Sequence, residues 1–441
     1  MNKLYLVFLF VFVLWVRSDA ADKYTLSRCL QQAYEKSHLL RAAKLEVESS
    51  GEKVFAAKAQ NYPLLNLAAT YTRIGEISTF TMPSPSGGPP RKLSFGTPNR
   101  VNASANLQYP LFTWWRVQNS IHLAEQGESM ASLQEKLQRL NLTHTVLKAY
   151  YAVLINNAVV DLLKTNIERT KKSLEITRQR YEEGELAKHE VLRTQVQLTN
   201  EENELKTALG NQTNSRLFLG KVLSQPETEI DVTGRLKFIP LQMDESQLIR
   251  LALEQRLELR MLQVEKSMNI SNLELASTGN KPTLALFSSY TVVNGFDPIE
   301  PEKFVDNWNV GVQFSWPVFD GFSTKHKEED ARIRQKITRE KEAELRQNII
   351  LQVKQALVTI HQMENSIASR EKNIELAREV QQMSEEQFRN GLISLLDLLV
   401  AQKNLFNAEI SHLQAVFNHI MAKIELGKAI GNYSWFESEL E

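Results

Sequence analysis

The sequence predicts a mainly α fold with a small β part, built from two copies of one unit. Three observations carry this. The second half repeats the first at a nearly fixed spacing, all 13 Pro lie outside two long blocks (111–225 and 318–441), and short stretches of two-residue alternation stand between those blocks.

The duplication comes first, because an overlooked repeat miscasts a whole fold. Pro110 and Pro317 lie 207 residues apart, and Glu135/Glu342, Asn141/Asn348, Val146/Val353, Ala149/Ala356, Asn166/Asn373, Gly184/Gly391, Gln195/Gln402 and Gly220/Gly427 keep that offset without a gap. Upstream the offset is 219, in Ala33/Ala252, Arg41/Arg260, Glu46/Glu265, Pro63/Pro282, Leu65/Leu284 and Tyr71/Tyr290. The first copy therefore holds 12 extra residues between Tyr71 and Tyr109.

Residues 1–20 combine an early Lys3, an apolar run over 4–16 and small residues at Ser18 and Ala20. They read as a secretory signal peptide cleaved near Ala20 or Ala21. An apolar run of about 13 residues is shorter than the roughly 20 that span a bilayer as a helix. No later segment shows 18 uncharged apolar residues in a row, so a mature chain that enters a membrane is expected to do so as a closed β-barrel. The rest divides into a first repeat over 21–223, a connection over 224–246 expected to pack around the helices, a second repeat over 247–431 and a tail over 432–441.

The Pro-free blocks, rich in Leu, Glu, Lys, Gln and Arg, predict long helices. Leu133, Leu137, Leu140, Leu147, Tyr151, Leu154 and Leu162 recur at helical, near-heptad spacing, as do Val353, Leu357, Ile360, Ile367 and Ile374. A helix from Thr113 to Tyr181 would be about 100 Å long, which suits a coiled-coil object. Between the blocks, Val101, Ala103, Ala105, Leu107 and Tyr109 alternate with polar residues, and Trp308, Val310, Val312, Phe314 and Trp316 do the same, with Gly311 in the polar set. Such alternation predicts strands with one apolar and one polar medium. Their expected partners are 64–73 and 283–293. About ten residues per strand, with Tyr71, Tyr109, Tyr290, Trp308 and Trp316 available for aromatic girdles, fit outer-membrane strands. Four strands are too few to close a barrel, and an open edge is not tolerated in lipid, so several chains must share one wall. A cyclic trimer gives twelve strands, with the polar face lining water.

Composition narrows function. Lys plus Arg and Asp plus Glu are 52 each, so no nucleic-acid partner is implied, and 42% hydrophobic content supports a packed core. The single Cys29 closes no intrachain disulfide and reads as a small residue of the first mature helix. His412 and His419 share a helix face without an evident acidic or sulfur partner, so neither a metal nor a cofactor is expected. No nucleophile and base stand at usable spacing, so no enzyme is expected. The 83–90 stretch reads as an exposed extracellular loop.

At this point the residues resemble a known family. In each copy a strand opens after Pro63 or Pro282, and Tyr109-Pro110-Leu111-Phe112 or Trp316-Pro317-Val318-Phe319 leads into a long helix. A second motif joins helices: Tyr181, Gly184, Ala187, Glu190 and Leu192, then Phe388, Gly391, Ser394, Asp397 and Leu399. Both are similar to the TolC family of outer-membrane efflux channels, whose tip turns carry Ser where the first copy has Ala187. The resemblance implies a homotrimer with a 12-stranded barrel in the outer membrane of a Gram-negative bacterium, an α-barrel extending into the periplasm, and a tip docking on a periplasmic adaptor and an inner-membrane pump of RND or ABC type. It implies no catalytic, cofactor or metal residues. The expected tip and docking residues are Tyr181, Gly184, Glu190, Phe388, Gly391, Ser394 and Asp397; Pro63, Tyr109, Pro110, Pro282, Trp316 and Pro317 mark the barrel start and girdle.

Gly184 and Gly391 offer the positive φ at which a helix can end and the chain reverse. Glu190 and Asp397 fall in the first turn of the returning helix, where the helix dipole favours an anion. Three-fold symmetry would make Asp397 a ring of three carboxylates that favours cations. With Phe388, Leu392 and Ile393 where relatives carry a polar gate, apolar closure by Leu395 and Leu396 is expected. The predicted function is a passive exit duct; the alternative is a non-conducting secreted coiled-coil scaffold.

Overall fold

The structure is a computed structural model of the 441-residue chain, and it describes residues 23–84, 87–94, 96–297 and 300–433. The expected signal peptide and most of the expected C-terminal tail lie outside the described residues.

The first copy folds as α1 (Leu26–Lys36), α2 (His38–Lys58), β1 (Leu64–Arg73), β2 (Thr79–Met82), β3 (Arg91–Ser94), β4 (Asn99–Phe112), α3 (Arg116–Glu182) and α4 (Lys188–Val222). The second follows as α5 (Glu245–Gln255), α6 (Leu257–Ser277), β5 (Thr283–Asn294), β6 (Phe304–Ser315), α7 (Ser323–Arg389) and α8 (Leu395–Ile430). The two sequence offsets carry over to the element ends. α5 and α6 start and stop 219 residues after α1 and α2, and α7 starts and stops 207 after α3. The first copy's extra residues accommodate the β2–β3 ladder, Thr79 opposite Ser94 and Met82 opposite Arg91. What reads as a plain loop around Pro83 is thus flanked by paired strands.

Within the described residues two compact units form, and each draws on both copies: 23–41, 139–255 and 349–433 make one, and 42–138 with 256–348 the other. The first unit contains a core of Cys29, Leu30 and Ala33 from α1, Val146 to Leu154 from α3, Leu219 and Leu223 from α4, and Val416, Ile420 and Ile424 from α8. Val353, Leu357, Ile360 and Ile367 are buried as their spacing requires. Burial pushes the Cys29 thiol up to about 12, against the pull of Arg28, so this cysteine is chemically quiet. One stretch of α3 is long and apolar enough on average to cross a bilayer, and more than half of it is buried within the protein. Core packing accounts for its apolarity.

The connection between the copies lies over this unit and is pinned at several points. Tyr24 and Val232 form an isolated parallel bridge, the Tyr150 hydroxyl donates to the Thr233 carbonyl, Lys423 Nζ donates to the Ile239 carbonyl at 3.2 Å, and Leu241 N donates to Glu364 at 2.8 Å. Asp231 accepts from Asn157 at 2.8 Å and pairs with Arg216 at 3.2 Å. Burial alone would raise the Asp231 carboxyl; Asn157, the Val232 N–H and Arg216 outweigh it and hold that carboxyl below its ordinary range. His419 has its acidic neighbour after all: Glu364 of α7 stands 3.5 Å from its Nε2.

Two glycines inside helices close this unit. A Cβ on Gly220 would lie 2.7 Å from the Gln225 carbonyl oxygen, and one on Gly427 would lie 2.5 Å from the Tyr433 ring. In an open helix Gly→Ala stabilises by roughly 1 kcal/mol; here Gly220→Ala and Gly427→Ala should instead destabilise by about 1–3 kcal/mol through overpacking, read as a lowered melting temperature. Asp231→Asn tests the connection. A carboxyl held below its usual pKa contributes fully above the unfolded value and loses that contribution as pH falls through the folded one. The variant should melt below wild type at pH 7, and the gap should close as pH falls through and below the carboxylate range; a gap of constant size would contradict this role.

Candidate functional site

The first part of the site is the sheet of the second unit, with strand order β1-β4-β5-β6, all neighbours antiparallel. Its register lines up the alternation of all four strands. Leu67 pairs with Ala105, Ala105 with Tyr290 and Tyr290 with Trp308; Leu65 pairs with Leu107, Leu107 with Ser288 and Ser288 with Val310. One residue along lies the opposite face, in which Asn66, Asn106, Ser289 and Asn309 form one row and Ala68, Ser104, Thr291 and Asn307 the next. The Ser289 hydroxyl donates to Asn106 Oδ1 at 2.7 Å. One face is thus dominated by apolar side chains and the other by amides and hydroxyls, which is the division a wall between lipid and water needs. Phe287 interrupts the polar face, where its ring covers Gly311: a Cβ there would meet Phe287 Cζ at 2.8 Å. That contact explains why Gly stands in the polar set of β6.

β1 and β6 each have a strand neighbour on one side only within the described residues. All ten residues of β1 are exposed. Pro63 and Pro282 immediately precede β1 and β5, and Pro110 lies within β4 beside a register shift. Tyr109 pairs with Leu286 on the apolar face. β6 starts at Phe304, earlier than the alternation indicated, and ends at Ser315, so Trp316 and Pro317 follow the strand. The Trp316 indole donates to the Asn280 carbonyl at 3.2 Å.

The second part is the pair of helix turns in the first unit. Each long helix ends by the same hydrogen bonds: Gly184 N to Tyr181 O and Glu185 N to Arg180 O at 3.0 and 2.8 Å, and Gly391 N to Phe388 O and Leu392 N to Gln387 O at 3.0 and 2.8 Å. This is the Schellman arrangement, and it requires the left-handed φ of 81° at Gly184 and 73° at Gly391. The returning helices start differently. Ser394 caps α8 by accepting from Asp397 N, while Asp397 Oδ2 accepts from Ser394 N at 3.1 Å and from its hydroxyl at 2.6 Å. Ala187 offers α4 no side-chain cap. Glu190 sits in the first turn of α4, half-buried, and is paired with Arg193 and His189 at 3.1 Å each.

The two turns are joined within one chain by Arg180, a residue sequence reasoning missed. Its Nη1 donates to the Phe388 carbonyl at 2.7 Å, its Nε pairs with Glu185 at 2.8 Å, and its guanidinium stands 5.2 Å from the Phe388 ring centroid. Gly391 leaves room for it, since a Cβ there would lie 3.2 Å from Arg180 Nη2. The partners are 208 residues apart, so no local motif signals them. Phe388 is 1% exposed and packs with Leu395 and Leu398. That corrects two expectations: Phe388 is a packing residue of the tip, and Leu395, at 2% exposure, is buried beside it. Exposed apolar residues at the turns include Leu392, Leu396 and Val400 of the second and Leu192 of the first, with Tyr181, the counterpart of Phe388, also exposed.

Comparison with known proteins places this geometry. The family model for outer membrane efflux proteins matches residues 29–225 and 248–432, one stretch on each copy. The outer membrane protein TolC of Vibrio cholerae is 24% identical over 425 residues, covering 95% of this chain and 93% of the relative. Among solved structures, the open state of the Neisseria gonorrhoeae MtrE outer membrane channel superposes with a TM-score of 0.75 at 19% identity, covering 92% of this chain and 89% of that one. The Campylobacter jejuni CmeC outer membrane channel does so with 0.75 at 15%, covering 92% and 85%. The scaffold alternative finds no support among them. The chain belongs to the outer membrane efflux protein family and is an exit duct of the outer membrane, with the duplicated helix-and-hairpin fold of the trimeric TolC-like channels.

Proposed function

We propose that three copies of the chain close one 12-stranded barrel, that the lumen conducts passively, and that the turns at Gly184 and Gly391 form the end at which a periplasmic adaptor and an inner-membrane pump engage the duct. The observation that carries this reading is the pair of edges, β1 and β6, left without a strand partner among the described residues, on a sheet with one apolar and one polar face. In lipid those edges need partners, and the β6 edge of one copy can pair with the β1 edge of the next. Three chains of four strands give a barrel wide enough for a lumen. The energy for transport comes from the pump.

Closure at the tip rests on Arg180. Held by a carboxylate, a carbonyl and a ring, it ties the first turn of a chain to the second. Opening that separates these turns must break a charge-assisted hydrogen bond at a largely buried guanidinium, about 1.5–3 kcal/mol. Asp397 serves first as a helix cap through Oδ2. Exposed on each of three copies, it also presents a ring of carboxylates to the passage. Leu392 and Leu396 supply the apolar part of the constriction in place of Leu395.

Planar-bilayer recording of the purified trimer tests the reading: stepwise conductance supports the duct, and a water-soluble, electrically silent protein overturns it. Asp397→Ala should lower the cation preference of the open channel by about twofold or more, read from the reversal potential across a salt gradient. An unchanged reversal potential removes the ring. Arg180→Gln should raise the open probability of the isolated channel by roughly tenfold, since about 1.4 kcal/mol is a factor of ten; traces identical to wild type would place closure elsewhere.

A further inference from the structure

The chain enters each long helix through a two-residue left-handed step. Trp114 and Trp115 have φ of 53° and 58°, and their counterparts 207 residues on, Gly321 and Phe322, have 65° and 66°. The second copy uses Gly at the first of these positions, where that backbone is free of strain. The first copy keeps a Trp there, in a conformation bulky L-residues rarely adopt. Strain retained where the duplicate has relieved it points to a side chain kept for its contacts.

The contacts form a cleft. The Trp114 ring lies 5.2 Å from Phe112 and 6.4 Å from Trp115, and Lys281 Nζ stands 5.7 Å from the Trp114 centroid. The turn carrying Lys281 is held by the indole of Trp316 on Asn280 and by Gly279, where a Cβ would collide with Thr324. Trp114, Trp115, His122, Glu274 and Lys281 wall an open volume of about 500 Å³. Two opposite charges in it lack an ion partner among the described residues: Lys281 meets the Trp114 ring, and Glu274 on the last turn of α6 meets no cation, while His122 is engaged by Glu125 at 3.4 Å. The cleft lies where the strands give way to helices, the level at which a barrel meets lipid headgroups.

From this geometry we propose that the cleft is a binding site for a phospholipid headgroup that carries both a phosphate and a primary ammonium, that of phosphatidylethanolamine. The phosphate sits on Lys281, the ammonium donates to Glu274, and the exposed Trp115 indole lies along the acyl chains. A net-anionic headgroup leaves Glu274 unpaired and repelled. A choline headgroup has no N–H to donate to it. The site presupposes the outer-membrane trimer, whose integrity is read separately below.

The test is native mass spectrometry of the detergent-purified trimer mixed with equal amounts of phosphatidylethanolamine, phosphatidylcholine and phosphatidylglycerol of the same acyl chains. Phosphatidylethanolamine should be retained about fivefold over either competitor, a margin of about 1 kcal/mol for charge-assisted pairing. Glu274→Gln should abolish that margin, and Lys281→Gln should lower retention of all three lipids. Trp114→Gly, which installs the second copy's residue, should leave the trimer intact and reduce retention. Equal retention of the ethanolamine and choline lipids by wild type overturns the proposal, as does a preference for phosphatidylglycerol or an ethanolamine margin that survives Glu274→Gln. Loss of the trimer itself would instead count against the duct assembly. The wild-type comparison decides the lipid question without any variant.

Discussion

A backbone edge in hydrocarbon has no water to satisfy it, and each exposed N–H or C=O there costs several kcal/mol. The sheet β1-β4-β5-β6 has two such edges. The register that puts Leu67, Ala105, Tyr290 and Trp308 in one row gives the wall its lipid side, and the row beside it gives the lumen its amides and hydroxyls. A one-residue slip would exchange the two faces, so the alternation specifies the assembly as well as the strand.

Duplication supplies strands in pairs and long helices in pairs, and the copies then diverge where function can use a difference. The second returning helix starts with a capping box at Ser394 and Asp397, while the first starts at Ala187 without a side-chain cap. The first copy contributes Arg180, which grips the carbonyl of the second copy's Phe388. The first copy also carries Trp114 where the second has Gly321. Three-fold symmetry would turn each such pair into alternating kinds of turn around the ring, which a partner with matching alternation can read.

The periodic parts of the fold were legible in the sequence. Proline-free blocks and heptad spacing located α3, α4, α7 and α8, and the alternation of Val101 to Tyr109 located β4, because burial and pleating impose fixed periods on side chains. The glycines of the tips were legible because a reversing helix needs a positive φ. Long-range pairings were not. Arg180 and Phe388 carry no local signature of their contact, and Glu364 approaches His419 from another helix. Leu395 and Leu396 are adjacent in sequence, yet Leu395 is 2% exposed and Leu396 52%; one packs beside Phe388 and the other faces solvent, and only the packing of the turn separates them. Phe287 weakened the alternation of β5 because its ring fills the space above Gly311 on the neighbouring strand.

The central claim is that β6 of one copy pairs with β1 of the next and that the ring closes at three. Since Cys29 is buried, single engineered cysteines placed along β1 and β6 can report this pairing directly by oxidation in isolated outer membranes. The account predicts intermolecular disulfides between β1 and β6 in one register, with a denaturing-gel ladder that ends at the covalent trimer. Absence of β1–β6 crosslinks at every register, or a ladder that runs past three, would contradict it.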